Sequence, residues 1–282
     1  MIPALLLCAV CATADPMVDA PGNERAFAGR LRATLDARMG GASASDPDGT
    51  SVDVVDRRLE GTLAWAPAST LLLSLAVPVL DRTIAANGAR LDRASLGDVE
   101  ARAQIEAWAD RYASVRRRLV LFVGTKVPTA PLEADASGAL LPSVLQPGCS
   151  SIVPLLGVAY TASRAPWSWM ASGTILLPFV VRDAAPHAGD SLRASVVGSW
   201  QPLRWLGARG GVAGRLDGGG LLADGEPDPS SGGLIGYVSA DALFSPSGDL
   251  VLSLGGMVPV VQSWRGEHHE EPILSASAAY DF

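Results

Sequence analysis

The sequence predicts an all-β protein whose strands close into an antiparallel barrel that crosses a membrane. Three observations predict this class: long segments of alternating apolar and polar residues, connections that are alternately short and long, and a high apolar content without a membrane helix. Hydrophobic residues make up 48% of the 282 residues, and the mean hydropathy is +0.25. The longest apolar run, residues 71–80, is interrupted by Ser74 and Pro78, whereas a spanning helix needs about 20 apolar residues. Because lipid cannot satisfy an open sheet edge, such a sheet must close on itself.

The clearest alternation lies in the two segments that flank the polar stretch 109–117. Ala103 and Val123 lie on the apolar faces of these segments. Arg102 and Phe122 lie on the opposite faces. A period of two is the signature of a strand, because successive side chains leave opposite faces of the pleat. Each segment has about ten residues, the length that a tilted strand needs to cross a bilayer. The pattern therefore predicts a hairpin with lipid on one face and a lumen on the other.

Twelve segments along the chain show this alternation. They cover residues 27–39, 54–65, 70–80, 95–108, 118–129, 151–162, 167–181, 191–200, 205–216, 233–244, 249–261 and 272–282. Short turns follow the even-numbered segments, at residues 66–69, 109–117, 163–166, 201–204 and 245–248. Longer connections follow the odd-numbered segments, at residues 40–53, 81–96, 129–150, 182–190, 217–232 and 262–271. Short periplasmic turns and long extracellular loops are typical of an outer-membrane barrel.

The aromatic residues and the prolines follow the same two-sided order. Six of the seven tryptophans lie beside short turns: Trp65, Trp108, Trp167, Trp169, Trp200 and Trp205. Tryptophan favours the headgroup level of a membrane, so these residues predict a periplasmic aromatic girdle, although packing in a soluble core is the alternative. Prolines recur near the ends of odd-numbered segments, where a missing backbone donor is tolerated, at Pro78, Pro128, Pro178 and Pro259.

The two ends of the chain fit export to the outer membrane. An apolar stretch followed by Ala12-Thr13-Ala14 predicts a signal peptide over residues 1–14 and a barrel over residues 15–282. No Lys or Arg precedes the apolar stretch, and a buried N-terminal strand is the alternative. The mature chain would keep Cys149 as its single cysteine. The alternating C-terminal segment with Tyr280 and Phe282 resembles the insertion signal that the barrel-assembly machinery reads on the last strand.

If the apolar faces meet lipid, the opposite faces line the lumen. The predicted lining residues are Arg30, Arg32, Asp36, Arg58, Glu60, Arg102, Glu106, Arg118, Lys126, Met170, Arg193, Arg209 and Arg215. Apolar residues such as Leu176 and Met257 share this interior. A conduit for amphipathic or apolar solutes is one interpretation. The other is that the charges pair with one another and fill the barrel as a structural plug.

Three short motifs resemble the outer-membrane transporter family named after the meta-pathway of phenol degradation. They are Ser95-Leu-Gly-Asp-Val-Glu100, Gly124-Thr-Lys-Val-Pro-Thr129 and Gln146-Pro-Gly-Cys149. Ala130 and Cys149-Ser150 stand where the family pattern has Gly and Thr-Gly. The resemblance implies a barrel that passes hydrophobic or aromatic compounds, and it brings no catalytic residues.

Other function classes find less support in the sequence. A net charge of −7 gives no basic patch for nucleic acid. An outer-membrane lipase would need a Ser–His pair, but His187, His268 and His269 fall in predicted loops without a nucleophile motif. Residues 267–271 could hold a metal ion, but a solvated acidic loop is the preferred interpretation. A structural or surface-interaction barrel with a plugged lumen, or a lipid-active enzyme, are the alternatives to a passive channel.

The sequence therefore predicts a non-enzymatic channel in the bacterial outer membrane, without cofactor or metal. Its expected partners are outer-membrane lipid, the barrel-assembly machinery and a small apolar or aromatic solute. No motif supplies an energy source, so transport is expected to run downhill.

We expect the mature protein to fractionate with the outer membrane and to change its gel mobility on boiling, because a closed barrel keeps its compact form in detergent until heated. Electrophoresis of boiled and unboiled membrane fractions checks this. Recovery as a soluble protein that keeps residues 1–14 would contradict it.

Overall fold

The structure, a computed structural model, describes residues 29–45, 51–86, 89–110, 112, 114–134, 138, 140, 146–180, 185–222, 224–228, 231–265 and 268–282. The predicted signal peptide lies outside these residues. The strands are β1 Leu31–Ser45, β2 Ser51–Ala68, β3 Leu71–Ala86, β4 Ala89–Leu96, β5 Val99–Asp110, β6 Arg116–Val127, β7 Ser151–Arg164, β8 Trp167–Leu176, β9 Phe179–Val180, β10 Ser191–Trp200, β11 Leu206–Asp217, β12 Gly233–Phe244, β13 Leu250–Trp264, β14 His268–Glu270 and β15 Ile273–Asp281. Among the described residues, no helix is long and apolar enough to span a bilayer.

Twelve of these strands form a closed antiparallel barrel, as the sequence predicts. Successive strands pair in chain order, and β1 closes the sheet by pairing with both β2 and β15. Leu35, for example, lies opposite Gly61 on one side and Ala278 on the other. The remaining strands are short additions: β4 pairs with β3, β9 with β7 and β14 with β1. Closure leaves the barrel without the unpaired edge that lipid could not satisfy.

Burial alternates along the strands and separates an apolar outer surface from a polar interior. Val123 is 47% exposed while its neighbour Phe122 is 3% exposed. Val196, Val212 and Val238 lie side by side on three adjacent strands, all on the outer surface. The period of two therefore has the physical meaning that the sequence predicts, with one face of each strand toward lipid and the other toward the lumen.

The apolar outer surface ends before the strands do. Leu59 and Val79 are exposed on the outside of β2 and β3, and the next outward pair is the ion pair between Arg57 and Asp81, at 3.0 Å. The barrel wall thus continues beyond the membrane as strand. The prediction of loops at residues 40–53 and 81–96 was therefore wrong over most of their length. Their residues turn polar because they leave the lipid, while they keep the strand pairing.

The prolines only partly follow the prediction that they lie at strand ends or bulges. Pro128 directly follows β6, and Pro178 lies between β8 and β9. Pro78 and Pro259 instead lie inside β3 and β13, which continue past them. Pro78 lies where β3 changes its partner from β5 to β4 and accepts a backbone hydrogen bond from Gly97 at 2.9 Å. Pro259 lies beside a register shift in the β12–β13 pair. A missing donor is thus tolerated where the ladder is irregular.

The division between the two faces can be tested on β3. We expect Leu75→Arg to lower the free energy of unfolding by about 2–4 kcal/mol, because it places a charge on the lipid face near mid-depth. Ser74→Arg, one residue away on the interior face, should cost markedly less. Chemical unfolding of both variants in lipid vesicles measures this, and equal losses would contradict the assignment of faces.

Candidate functional site

The candidate site is the barrel interior, and most of its charged side chains are paired. Several pairs join residues two apart on one strand, which share a face. Arg38 donates a hydrogen bond to Asp36 at 2.7 Å, and Arg215 forms an ion pair with Asp217 at 2.8 Å. Other pairs cross between strands, such as Arg82 with Asp56 at 2.9 Å. The further interior pairs are Arg58–Glu60, Arg102–Glu100, Lys126–Glu100, Arg209–Asp241 and Arg32–Asp281.

The structure places the residues that the sequence predicts as lumen-lining in two locations. Arg30 precedes β1 at the periplasmic rim, is exposed, and pairs with Asp249 at 3.4 Å. The others lie at buried or half-buried positions on the interior faces of their strands: Arg32, Asp36, Arg58, Glu60, Arg102, Glu106, Arg118, Lys126, Met170, Arg193, Arg209 and Arg215.

The charges of the interior balance one another. Between the two rims, the described barrel strands carry ten inward basic side chains: Arg32, Arg38, Arg58, Arg82, Arg102, Arg118, Lys126, Arg193, Arg209 and Arg215. They carry eight inward acidic ones: Asp36, Asp56, Glu60, Glu100, Glu106, Asp217, Asp241 and Asp281. Two further carboxylates come from segments that interrupt the wall, Asp98 between β4 and β5 and Glu270 on β14. The inward side chains of the described barrel strands, together with these two carboxylates, carry no net charge apart from histidine, and Asp228 before β12 is a further buried carboxylate.

Apolar side chains form separate clusters on the interior face. The largest combines Phe122, Cys149, Val153, Leu155, Ala159 and Leu176 on β6, β7, β8 and the segment before β7. The Phe122 ring lies directly over Gly157, where an added Cβ would stand 2.1 Å from the ring. Arg102 covers the same ring, with its guanidinium carbon 5.6 Å from the ring centroid. A second cluster contains Ile235, Tyr237 and Met257, and Met170 packs against Val197.

A buried carboxylate holds a connecting segment inside the barrel. Asp98 lies where the wall is interrupted between β4 and β5, and it is 8% exposed. It accepts hydrogen bonds from the backbone N–H groups of Ala130, at 3.1 Å, and Cys149, at 2.6 Å. Thr129 supports the same contact, because its hydroxyl donates to the carbonyl of Gly97 and accepts from the N–H of Val99, both at 3.0 Å. We call these contacts the Asp98 latch.

The latch leaves no space at Gly148. A Cβ there would stand 2.3 Å from the Asp98 carboxylate and 2.5 Å from the Ala130 side chain. Gln146 fixes the start of the segment by accepting from the N–H of Glu133 at 2.8 Å and donating to its carbonyl at 2.9 Å. Residues 146–150 are all buried. The three motifs of the family resemblance, far apart in sequence, thus meet at one point inside the barrel.

Sequence reasoning missed this arrangement. It predicted residues 129–150 as an extracellular loop, whereas residues 146–150 lie inside the barrel against Leu155 and Phe122. The bonds from Asp98 join residues 32 and 51 positions apart. No local pattern signals such a contact, and only the joint presence of the three motifs could have suggested it.

The structure also differs from the prediction of a solvated acidic loop at residues 267–271, the segment with two adjacent histidines. It forms β14, which pairs with β1, and His268 is 3% exposed. The Glu270 carboxylate bonds to Arg215 at 2.5 Å and accepts from the Tyr237 hydroxyl. Burial opposes ionisation of Glu270, but the charge of Arg215 and the surrounding hydrogen bonds lower its pKa to about 2. The described residues contain no group of three His, Cys, Asp or Glu side chains arranged to hold a metal ion.

A Ser–His contact that the sequence did not suggest lies at the start of β7. The Ser151 hydroxyl is 3.2 Å from Nδ1 of His187, and both residues are buried. Ser151 has no exposed surface, so a substrate carbonyl cannot reach its oxygen in this arrangement. The contact ties the segment around residue 187 to the barrel wall.

The aromatic residues of the predicted girdle all lie exposed on the outer surface: Trp65, Trp108, Trp167, Trp169, Trp200 and Trp205. Trp264 differs, since it is half-buried in the interior with the Arg215 guanidinium carbon 5.3 Å from its ring centroid. At the chain end, Tyr280 and Phe282 lie exposed with their rings edge to face, 4.8 Å apart.

Comparisons with known proteins agree with the fold. No protein-family model and no curated sequence matches the chain. The chain is similar to the crystal structure of an outer membrane channel from Pseudomonas putida F1, with a TM-score of 0.72 and 13% identity over 93% of this chain and 99% of that one. It is also similar to the translocator domain of the autotransporter NalP from Neisseria meningitidis, with a TM-score of 0.52 and 10% identity over 94% and 92% of the two chains. The protein is therefore a β-barrel of the bacterial outer-membrane type.

Cys149 reports on the Asp98 latch, because it is 4% exposed and its N–H bonds to Asp98. In a chain with Cys8→Ser and Cys11→Ser, we expect Asp98→Ala to increase the rate of maleimide labelling at Cys149 at least tenfold. The substitution removes two hydrogen bonds to a charged group, each worth about 1.5–3 kcal/mol. Labelling kinetics followed by mass spectrometry measure the change.

Gly148→Ala should accelerate labelling as well, since its methyl group needs the space that the carboxylate occupies. Asp92→Ala, on the exposed face of β4, is the matched control and should label like the parent chain. Parental rates in both latch variants would show that Asp98 does not hold the segment.

Proposed function

We propose that the protein is a passive channel that carries small, partly hydrophobic or aromatic molecules across the outer membrane. The proposal rests mainly on the composition of the interior. Most charged side chains there are paired, the inward charges on the barrel strands and their interrupting segments balance, and the rest of the interior surface includes apolar clusters. An ion would lose hydration in such an interior without a net charge to replace it, whereas an uncharged amphiphile loses little.

The position of residues 146–150 adds a condition for passage. All five residues are buried, and Cys149 packs into the apolar cluster with Leu155 and Phe122. A solute that follows this cluster from the extracellular side must therefore displace the segment or use its movement. We propose that opening of the Asp98 latch exposes the apolar path, so that the latch limits the rate of transport.

Two comparisons support the proposal. The solved structure from Pseudomonas putida F1 is named an outer membrane channel. The motifs around Gly97, Thr129 and Gly148 resemble the transporter family of the phenol-degradation meta-pathway, which implies aromatic or hydrophobic solutes. The similarity to the NalP translocator domain shows that this barrel class also serves other roles, so the solute has to be tested directly.

A plugged structural barrel is the second candidate. The observation that favours it is the burial of residues 146–150 together with the many ion pairs of the interior. In either case we propose that export uses the signal peptide over residues 1–14, and that the barrel-assembly machinery reads the last strand through Tyr280 and Phe282.

The channel predicts faster uptake of small uncharged aromatics, such as phenol, into proteoliposomes that contain the protein. Asp98→Ala should raise both the uptake rate and the single-channel conductance several-fold, because it opens the apolar path. Asp92→Ala serves as the control and should behave like the parent chain. Uptake equal to protein-free vesicles for the parent and for Asp98→Ala, with no conductance, would favour the plugged structural barrel.

A further inference from the structure

Four arginines lie exposed at the periplasmic turns on one side of the barrel. Arg116 and Arg117 begin β6, Arg164 ends β7, and Arg204 precedes β11. We call these four residues the basic rim. No acidic side chain of the described residues forms an ion pair with them. Asp110 is the single acidic residue on the described parts of these turns; it lies opposite Arg117 in the β5–β6 pair, and its carboxylate accepts from the N–H of Tyr112 at 3.3 Å.

Several exposed arginines elsewhere on the barrel have acidic partners. At the extracellular end, Arg57 pairs with Asp81 and Arg90 with Asp92, each at 3.0 Å. On the opposite side of the periplasmic rim, Arg30 pairs with Asp249 at 3.4 Å. The basic rim thus carries four arginines against one carboxylate, a local excess of positive charge, although the whole chain carries a net charge of −7.

Two of these arginines lie on the face that meets lipid. Arg117 continues the outward positions of Leu121 and Val123 on β6. Arg164 faces outward at the end of β7, on the same face of the strand as the exposed Tyr160. Both come directly after the apolar belt, at the depth where lipid headgroups lie. A long side chain at this depth keeps its stem along the apolar surface and its charge among the headgroups.

Tryptophans lie beside two of the rim arginines, Arg164 and Arg204. Arg164 is opposite Trp167, and Trp167 is opposite Trp200, with the two indole rings stacked at 6.0 Å. Trp205 directly follows Arg204. Indole rings favour the headgroup level, and a guanidinium group binds a phosphate through two parallel hydrogen bonds. The arrangement combines a phosphate-binding group with an interfacial anchor on adjacent strands.

From this geometry we propose that the basic rim is a binding surface for anionic phospholipid headgroups of the inner leaflet. Arg117 and Arg164 lie on the outward face at strand ends, and Arg204 lies in a short turn, so a lipid already adjacent to the barrel reaches them without a cleft. The surface selects phosphatidylglycerol over a zwitterionic lipid, because the excess of arginines over carboxylates favours a net negative headgroup. This inference is independent of the channel function.

The experiment uses the tryptophans next to the basic rim as the probe. The full-length protein is placed in phosphatidylcholine vesicles that contain brominated phosphatidylglycerol or, at equal content, brominated phosphatidylcholine, and quenching of tryptophan fluorescence is measured. We expect the relative affinity for phosphatidylglycerol to be about fivefold higher at low salt, and to fall as ionic strength rises.

The triple variant R117Q/R164Q/R204Q should lose this preference. The matched control R57Q/R90Q, which changes arginines at the extracellular end, should keep it. Heat-dependent gel mobility shows that each variant still forms a closed barrel. Equal quenching by the two brominated lipids in the parent protein would overturn the proposal. Binding of soluble polyglutamate to the parent, without a preference for phosphatidylglycerol, would overturn it in favour of an acidic protein partner.

Discussion

Backbone hydrogen bonding in an apolar solvent is the constraint on which this structure depends. Hydrocarbon offers no partner for a peptide N–H or C=O, so every strand at membrane depth needs two neighbours. The closing pair between β1 and β15 meets this need for the two ends of the sheet. Irregular backbone is concentrated in the extracellular half, where Gly97 and residues 271–272 interrupt the pairing. At these interruptions the chain turns into the lumen, where polar side chains can bond to its backbone N–H and C=O groups.

The interior follows from the same requirement. Charged side chains that line the narrow lumen need ionic or hydrogen-bonding partners. The segments that interrupt the strand pairing supply two of the carboxylates. Asp98 binds backbone N–H groups of a distant segment, whereas Glu270 joins Arg215 and Tyr237. The irregular segments are therefore part of the interior's electrostatics as well as its filling. Apolar residues such as Leu155 are left as the surface that a neutral solute can follow.

The sequence predicts the barrel well, because period-two alternation is a local signal that lipid imposes on every spanning strand. It placed Phe122 and Val123 on opposite faces, as the structure has them. It failed above the membrane, where strands lose their apolar face: residues 40–53 look like a loop but are mostly paired. It also failed for the Asp98 latch, which joins residues remote in sequence. The polarity of a residue indicates whether its side chain meets water or lipid. It does not indicate whether its backbone is hydrogen-bonded in a strand.

The ion pairs within single strands have a consequence for how the barrel is assembled. Asp36 with Arg38, and Arg215 with Asp217, are joined without help from a neighbouring strand. Such a pair forms as soon as its strand is extended, before the sheet has closed. A hairpin that enters the bilayer early then brings its own counter-charges, and its future inner face is already neutral. The free-energy cost of exposing that face to lipid headgroups during insertion is lowered for each strand in turn. The order in which the strands pair therefore does not depend on finding ionic partners on neighbouring strands.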